Sequence, residues 1–140
     1  MGMRLNPYLN FRETSRAAME FYRDVFGGEL TISTFREFGM ADSPIADNVM
    51  HAMLVTPAGF TLMASDAPPE MAISDNSTSL SLSGDDVEAL RGYWDALADG
   101  GQVTVPLQVQ MWGDEYGQLI DRFGVPWMVN IAVPQAGGEG

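Results

Sequence analysis

Two tandem βαβββ modules of the α+β class are what this sequence predicts, on three observations. Period-2 and period-3.6 hydrophobic patterns alternate along its 140 residues, the alternation runs twice in the same order, and the two helical segments match position by position. The first half reads as a strand at 7–11, a helix at 15–26, and strands at 30–38, 50–56 and 60–65. The second reads as a strand at 77–83, a helix at 86–98, and strands at 102–110, 116–121 and 126–133.

The helices justify the repeat. Ala17, Phe21, Tyr22 and Val25 answer to Ala89, Tyr93, Trp94 and Leu97 at a constant offset of 72, so each helix carries an aromatic pair on one face. Each runs into a double glycine, Gly27-Gly28 and Gly100-Gly101, where glycine supplies the positive φ that ends a helix. Thr14 or Ser15 can cap the first helix and Asp85 or Asp86 the second, with Glu88 near its positive end. Between the halves, residues 66–77 (DAPPEMAISDNS) combine two prolines with a polar tail and suit a connection rather than a strand.

The expected organisation is a single domain over 1–133 built of two modules, about 4–66 and 77–133, with a linker at 67–76 and a flexible tail at 134–140. One βαβββ unit makes a curved sheet with a helix on its convex side, and its concave face still needs a partner. A second unit can supply it, and the cleft so formed is where a ligand would sit. Pairing within one chain and pairing between subunits are both open.

Composition narrows the chemistry. There is no cysteine, which excludes a disulfide framework, a thiolate metal site and a cysteine nucleophile. There is no lysine either, which excludes Schiff-base chemistry; all 7 basic residues are arginine, against 19 acidic ones. The net charge of −12 opposes nonspecific binding to nucleic acid or an anionic membrane, so neither is an expected partner. The N-terminal MGMRLNPYLNF has neither a signal-peptide pattern nor an apolar run of the ~20 residues a membrane span needs, and the protein is expected to be cytoplasmic.

Five segments, in this order, carry a family resemblance: YLNF at Tyr8–Phe11, AMEFYRDVFGGEL at 18–30, HAMLV at 51–55, LMASD at 62–66 and WGDEYGQLIDRFGVPWMVN at 112–130. Together they resemble the PhnB-like branch of the vicinal oxygen chelate (glyoxalase/bleomycin-resistance/dioxygenase) superfamily, also labelled 3-demethylubiquinone methyltransferase-like. DRFGVPW is the most specific motif and is similar to the superfamily's DPDG-type turn before its last strand. The resemblance implies paired βαβββ modules, usually in a homodimer. Its members include metal-dependent lyases, isomerases, dioxygenases and thiol transferases, and also metal-free drug-sequestering proteins; fold alone does not choose among them.

Metal-dependent members take four His or Glu ligands from the first and last strands of each module. Carried over strand by strand, those positions are Asn6 or Tyr8, then Met63, Ser79 and Met128. None suits zinc, iron, manganese or nickel, and methionine thioether suits soft Cu(I). With one histidine in the chain, two His ligands cannot come from it. No metal and no other cofactor are therefore expected, and no glycine-rich loop opens a helix from a strand as a nucleotide-type methyl donor would require.

His51 is the candidate catalytic residue, since imidazole is the side chain suited to acid–base work near neutral pH; a strand-end histidine bonded to backbone is its plainer role. Asp66 and Asp121-Arg122 read as turn chemistry, with Arg122 also able to pair with a carboxylate. Trp112, Glu115 and Tyr116 lie in a glycine-bounded polar-aromatic loop, and Met53, Met63 and Met128 fall on strands where soft side chains fill core or line an apolar pocket. Met63, Ser79, Trp112, Glu115, Tyr116 and Met128 are the expected lining of a ligand cleft. The reading that follows is a binding protein for a small, partly apolar molecule. The alternative is a metal-dependent lyase, isomerase or dioxygenase with a rearranged set such as His51 with Glu115 or Asp66, and a third is a structural or partner-binding role.

Overall fold

The computed structural model describes residues 2–68, 71 and 78–132, and the chain divides into two units, 1–75 and 76–140. In the first, β1 (Tyr8–Phe11) is followed by α1 (Ser15–Phe26), β2 (Glu29–Thr34), β3 (Val49–Val55) and β4 (Thr61–Asp66). Its sheet runs β1-β4-β3-β2, with β1 parallel to β4 and the other pairs antiparallel. The second holds β5 (Leu80–Gly84), α2 (Val87–Ala98), β6 (Gln102–Val109), β7 (Glu115–Ile120) and β8 (Pro126–Ile131), in a sheet ordered β5-β8-β7-β6 with the same pairing directions. Each unit is a βαβββ module, as the alternating periodicities predict, and the class is α+β.

Strand alternation sets each core. On β4, Leu62, Ala64 and Asp66 are buried while Thr61, Met63 and Ser65 are half-buried; on β8, Trp127, Val129 and Ile131 are buried while Pro126, Met128 and Asn130 are half-buried. The buried face packs on the helix, which contributes Ala18, Met19, Tyr22 and Phe26 from α1 and Leu90, Trp94 and Leu97 from α2. Burying each large side chain stabilises by roughly 1.5–3 kcal/mol. Gly117 on β7 makes room for Trp94, since a Cβ there would stand 2.6 Å from the indole.

Several local expectations are corrected. The strand expected at 30–38 ends at Thr34 and gives way to a 3-10 turn, Arg36–Phe38. A bulge between Ser33 and Thr34 breaks the register, and Thr34 and Glu37 form a reciprocal capping box: the Thr34 N–H donates to Glu37 Oε1 at 3.1 Å and the Glu37 N–H to Thr34 Oγ1 at 3.4 Å. Neither Thr14 nor Ser15 caps α1 through its side chain. Instead the Asp66 carboxylate accepts from the Ser15 N–H at 2.9 Å and the Val49 N–H at 2.8 Å, tying the start of α1 to the start of β3. Asp86, not Asp85, caps α2 by accepting from the Ala89 N–H at 3.2 Å.

The double glycines serve two purposes rather than one. Gly27, Gly28 and Gly100 have φ of 78°, 111° and 78°, as helix endings require, but Gly101 does not have positive φ. Its need is space, because a Cβ would run into the Ile120 carbonyl oxygen; Gly28 meets the Val55 carbonyl in the same way. The strand expected at 77–83 begins at Leu80, leaving Ser79 ahead of it. Residue 77, residue 133, the tail 134–140 and most of the linker (69, 70 and 72–76) lie outside the described residues. The Arg12 guanidinium holds the segment leaving β4 by donating to the carbonyls of Ala67 at 3.3 Å and Pro68 at 2.6 Å.

Candidate functional site

Each sheet has one face on its helix and one turned away from it, and most of the candidate residues stand on the latter. On the first sheet, Tyr8, Met63, Met53 and Thr31 form a row across β1, β4, β3 and β2. Beside it, Asn10 is paired with Ser65 and His51 with Ser33. The Tyr8 and His51 rings lie 6.0 Å apart, tilted by 47°. Among the described residues no carboxylate orients His51. Asp66 points to the helix side and is occupied by two backbone amides.

On the second sheet, Ser81, Met128 and Gln118 share a row, and the next holds Ser83, Asn130, Tyr116 and Gln108. Tyr116 is the best-connected polar side chain of this face. Its Oη accepts from Gln118 Nε2 at 2.7 Å and can donate to Met128 Sδ, 3.8 Å away. Trp112, 58% exposed in the β6–β7 turn, sets its ring edge-on to Tyr116 at 6.1 Å. Asn130 Nδ2 donates to Asp114 Oδ2 at 3.0 Å.

Glu115 is not with these groups. Strand alternation turns it to the helix face, where it is buried and ion-paired with Arg91 of α2. The Glu115 hydrogen bond and charge hold the Arg91 guanidinium above its ordinary pKa. Arg122 donates to the Asp99 carbonyl at 3.0 Å and carboxylate at 3.1 Å, at the C-terminal end of α2 where a cation complements the helix dipole. Asp121 is turn chemistry with three donors: the Phe123 N–H at 2.8 Å, the Val125 N–H at 3.1 Å and Trp127 Nε1 at 2.9 Å.

Strand register selects among the positions that family resemblance assigns to a metal. Tyr8, not Asn6, pairs with Met63, and Ser81, not Ser79, pairs with Met128. Tyr8 and Met63 on the first sheet offer a phenol and a thioether, and Ser81 and Met128 on the second a hydroxyl and a thioether. Neither pair suits a hard or borderline divalent ion, which takes imidazole and carboxylate. Among the described residues, no group of three or more His, Asp or Glu could hold a metal.

Sequence reasoning missed Ser81, Gln118 and Arg91. A signal for the first was available: Thr56, Gly59 and Met63 answer to Asp121, Gly124 and Met128 at an offset of 65, which aligns β4 with β8 and leads to β5 by pairing. Gln118 and Arg91 had no such signal, because their partners Tyr116 and Glu115 become neighbours only across a strand face and a helix–sheet contact.

The family model for the Glyoxalase/Bleomycin resistance protein/Dioxygenase superfamily matches residues 4–129. Protein YjdN of Escherichia coli K12 is 32% identical over 95% of this chain and 98% of its own length. Protein PA1353 of Pseudomonas aeruginosa, known from a crystal structure, is 36% identical with a TM-score of 0.80, covering 94% of this chain and 99% of that one. A PhnB protein from Bacillus cereus shares the fold with a TM-score of 0.74 at 22% identity, covering 93% of this chain and 100% of its own. The two βαβββ modules, the DRFG turn and these matches together establish that the chain belongs to the Glyoxalase/Bleomycin resistance protein/Dioxygenase superfamily.

Proposed function

We propose that this chain is a PhnB-like member of the superfamily that binds a small, partly apolar molecule without a metal at the inherited position, as a cytoplasmic homodimer. One observation carries the reading. Tyr8, Met63, Ser81 and Met128 stand at the paired first-and-last-strand positions, and they are good at contacting a neutral organic molecule and poor at holding a divalent cation. The first sheet, with Tyr8, Met53 and Met63, and the second, with Met128, Tyr116 and the neighbouring Trp112, each supply polarisable surface with a few polar atoms among it, the usual make-up of small-molecule sites. No helix among the described residues is long and apolar enough to cross a membrane.

The enzymatic alternative would draw His51 together with Asp66 or Glu115. Both carboxylates are already engaged, Asp66 by two amides and Glu115 by Arg91, which favours the binding role. Elemental analysis after incubation with zinc, nickel, iron or manganese and then dialysis should find well under one ion per chain. One firmly retained ion per chain would overturn the metal-free reading. Light scattering at micromolar concentration should give twice the 15.2 kDa chain mass, and a monomer mass would remove the dimer.

A further inference from the structure

We propose that Tyr116 donates a hydrogen bond to a bound molecule, and that the second sheet's outer face takes a neutral apolar molecule bearing a carbonyl-type oxygen. This rests on the binding reading above and names the chemistry of what is bound. A phenol has one proton to give and an oxygen that can accept. Gln118 Nε2, 2.7 Å from Tyr116 Oη, fills the accepting role and leaves the proton to be donated. Its acceptor within the protein is the Met128 thioether at 3.8 Å, among the weakest a protein offers. Accepting one hydrogen bond also strengthens the phenol as a donor. A ligand oxygen would therefore replace a poor partner with a good one.

The neighbours define the rest of the ligand. Trp112 sets an exposed indole edge-on to the Tyr116 ring and Met128 places a polarisable thioether beside its hydroxyl, which suit an apolar or aromatic body. Among the described residues of this unit, both arginines are engaged elsewhere than on this face. Arg91 is held on the helix face by Glu115 and Arg122 lies against Asp99, while Asp114 brings negative charge to the Asn130 end of the face. A carboxylate or phosphate would lose its hydration without compensation, whereas a ketone, amide or similar neutral acceptor would not.

The test uses acetophenone and α-methylstyrene, which share a shape but have a carbonyl oxygen and a methylene group, respectively, at one position. Binding is followed by NMR through the Met128 methyl and Trp112 indole signals of the full chain. Acetophenone should bind about 5–10-fold more tightly than α-methylstyrene, the effect of one net hydrogen bond. Tyr116→Phe should erase that preference, so that the variant binds the two probes equally. Gln118→Glu should erase it too, because a carboxylate captures the phenolic proton instead of leaving it for the ligand. Equal binding of the two probes to the unaltered protein, or a preference that survives Tyr116→Phe, overturns the donor role but leaves the binding reading intact. No response to either probe up to about 10 mM overturns both.

Discussion

The two units share one scaffold and satisfy its buried polar groups differently at equivalent positions. In the first, Asp66 closes β4 and its carboxylate joins the Ser15 and Val49 amides; the residue 65 positions on is Ile131, buried and apolar. Helix α1 buries Met19 completely where α2, 72 positions on, carries Arg91 paired with Glu115. The β3–β4 turn is closed by Thr56 Oγ1 accepting from the Phe60 N–H at 3.0 Å, and the β7–β8 turn by the Asp121 carboxylate with its three donors. Strand order, pairing direction and helix length are the same in both. The difference teaches that hydrophobic alternation carries the topology, while the polar groups are exchangeable so long as each buried amide still finds an acceptor.

Exchanging residues between the units is the sharpest way to break that conclusion. Ile131→Asp should have the largest effect, about 4 kcal/mol, because it buries a carboxylate with no amide donors arranged for it. The reverse exchange, Asp66→Ile, should cost about 3 kcal/mol by stranding the Ser15 and Val49 amides. Urea unfolding measures both, and an unchanged midpoint for Asp66→Ile would mean that the carboxylate bridge is dispensable.

Smaller effects sharpen the comparison. Gly28→Ala and Gly101→Ala should each lose about 2 kcal/mol or more from collision with a strand carbonyl, Gly28→Ala the more because its φ is also positive. A neutral Gly101→Ala would mean that the strand at Ile120 yields to a methyl group at no cost. Trp94→Phe should cost about 1–3 kcal/mol through lost packing over Gly117, and Trp112→Phe under about 0.5 kcal/mol because the indole is exposed. Fluorescence should respond to a bound molecule through Trp112 and not Trp94; a signal lost in Trp94→Phe and kept in Trp112→Phe would contradict the placement of the ligand face. The ion pair gives a two-step test. Arg91→Met copies the first unit's Met19, and alone it should lower the urea midpoint by leaving Glu115 buried without its partner, while adding Glu115→Met should restore it. Failure of the second change to recover stability would show that the pair does more than satisfy itself.

The sequence by itself determined the repeat, the class, both helices and the approximate strands, because those properties live in neighbours two to four residues apart. The bounds expected for α1 are those observed, and Gly27-Gly28 and Gly100-Gly101 marked both helix ends. It also fixed the supply of imidazole and thiolate donors, one histidine and no cysteine. Only the tertiary structure decided which residues meet. Asp66 reaches back 51 positions to Ser15, and Arg91 reaches 24 positions to Glu115. Register chose Tyr8 over Asn6 and Ser81 over Ser79, and it turned Glu115 away from Tyr116. A shift of one residue in strand pairing exchanges the two faces of a sheet, and pairing is settled by packing against the helix and the neighbouring strands rather than by any local pattern.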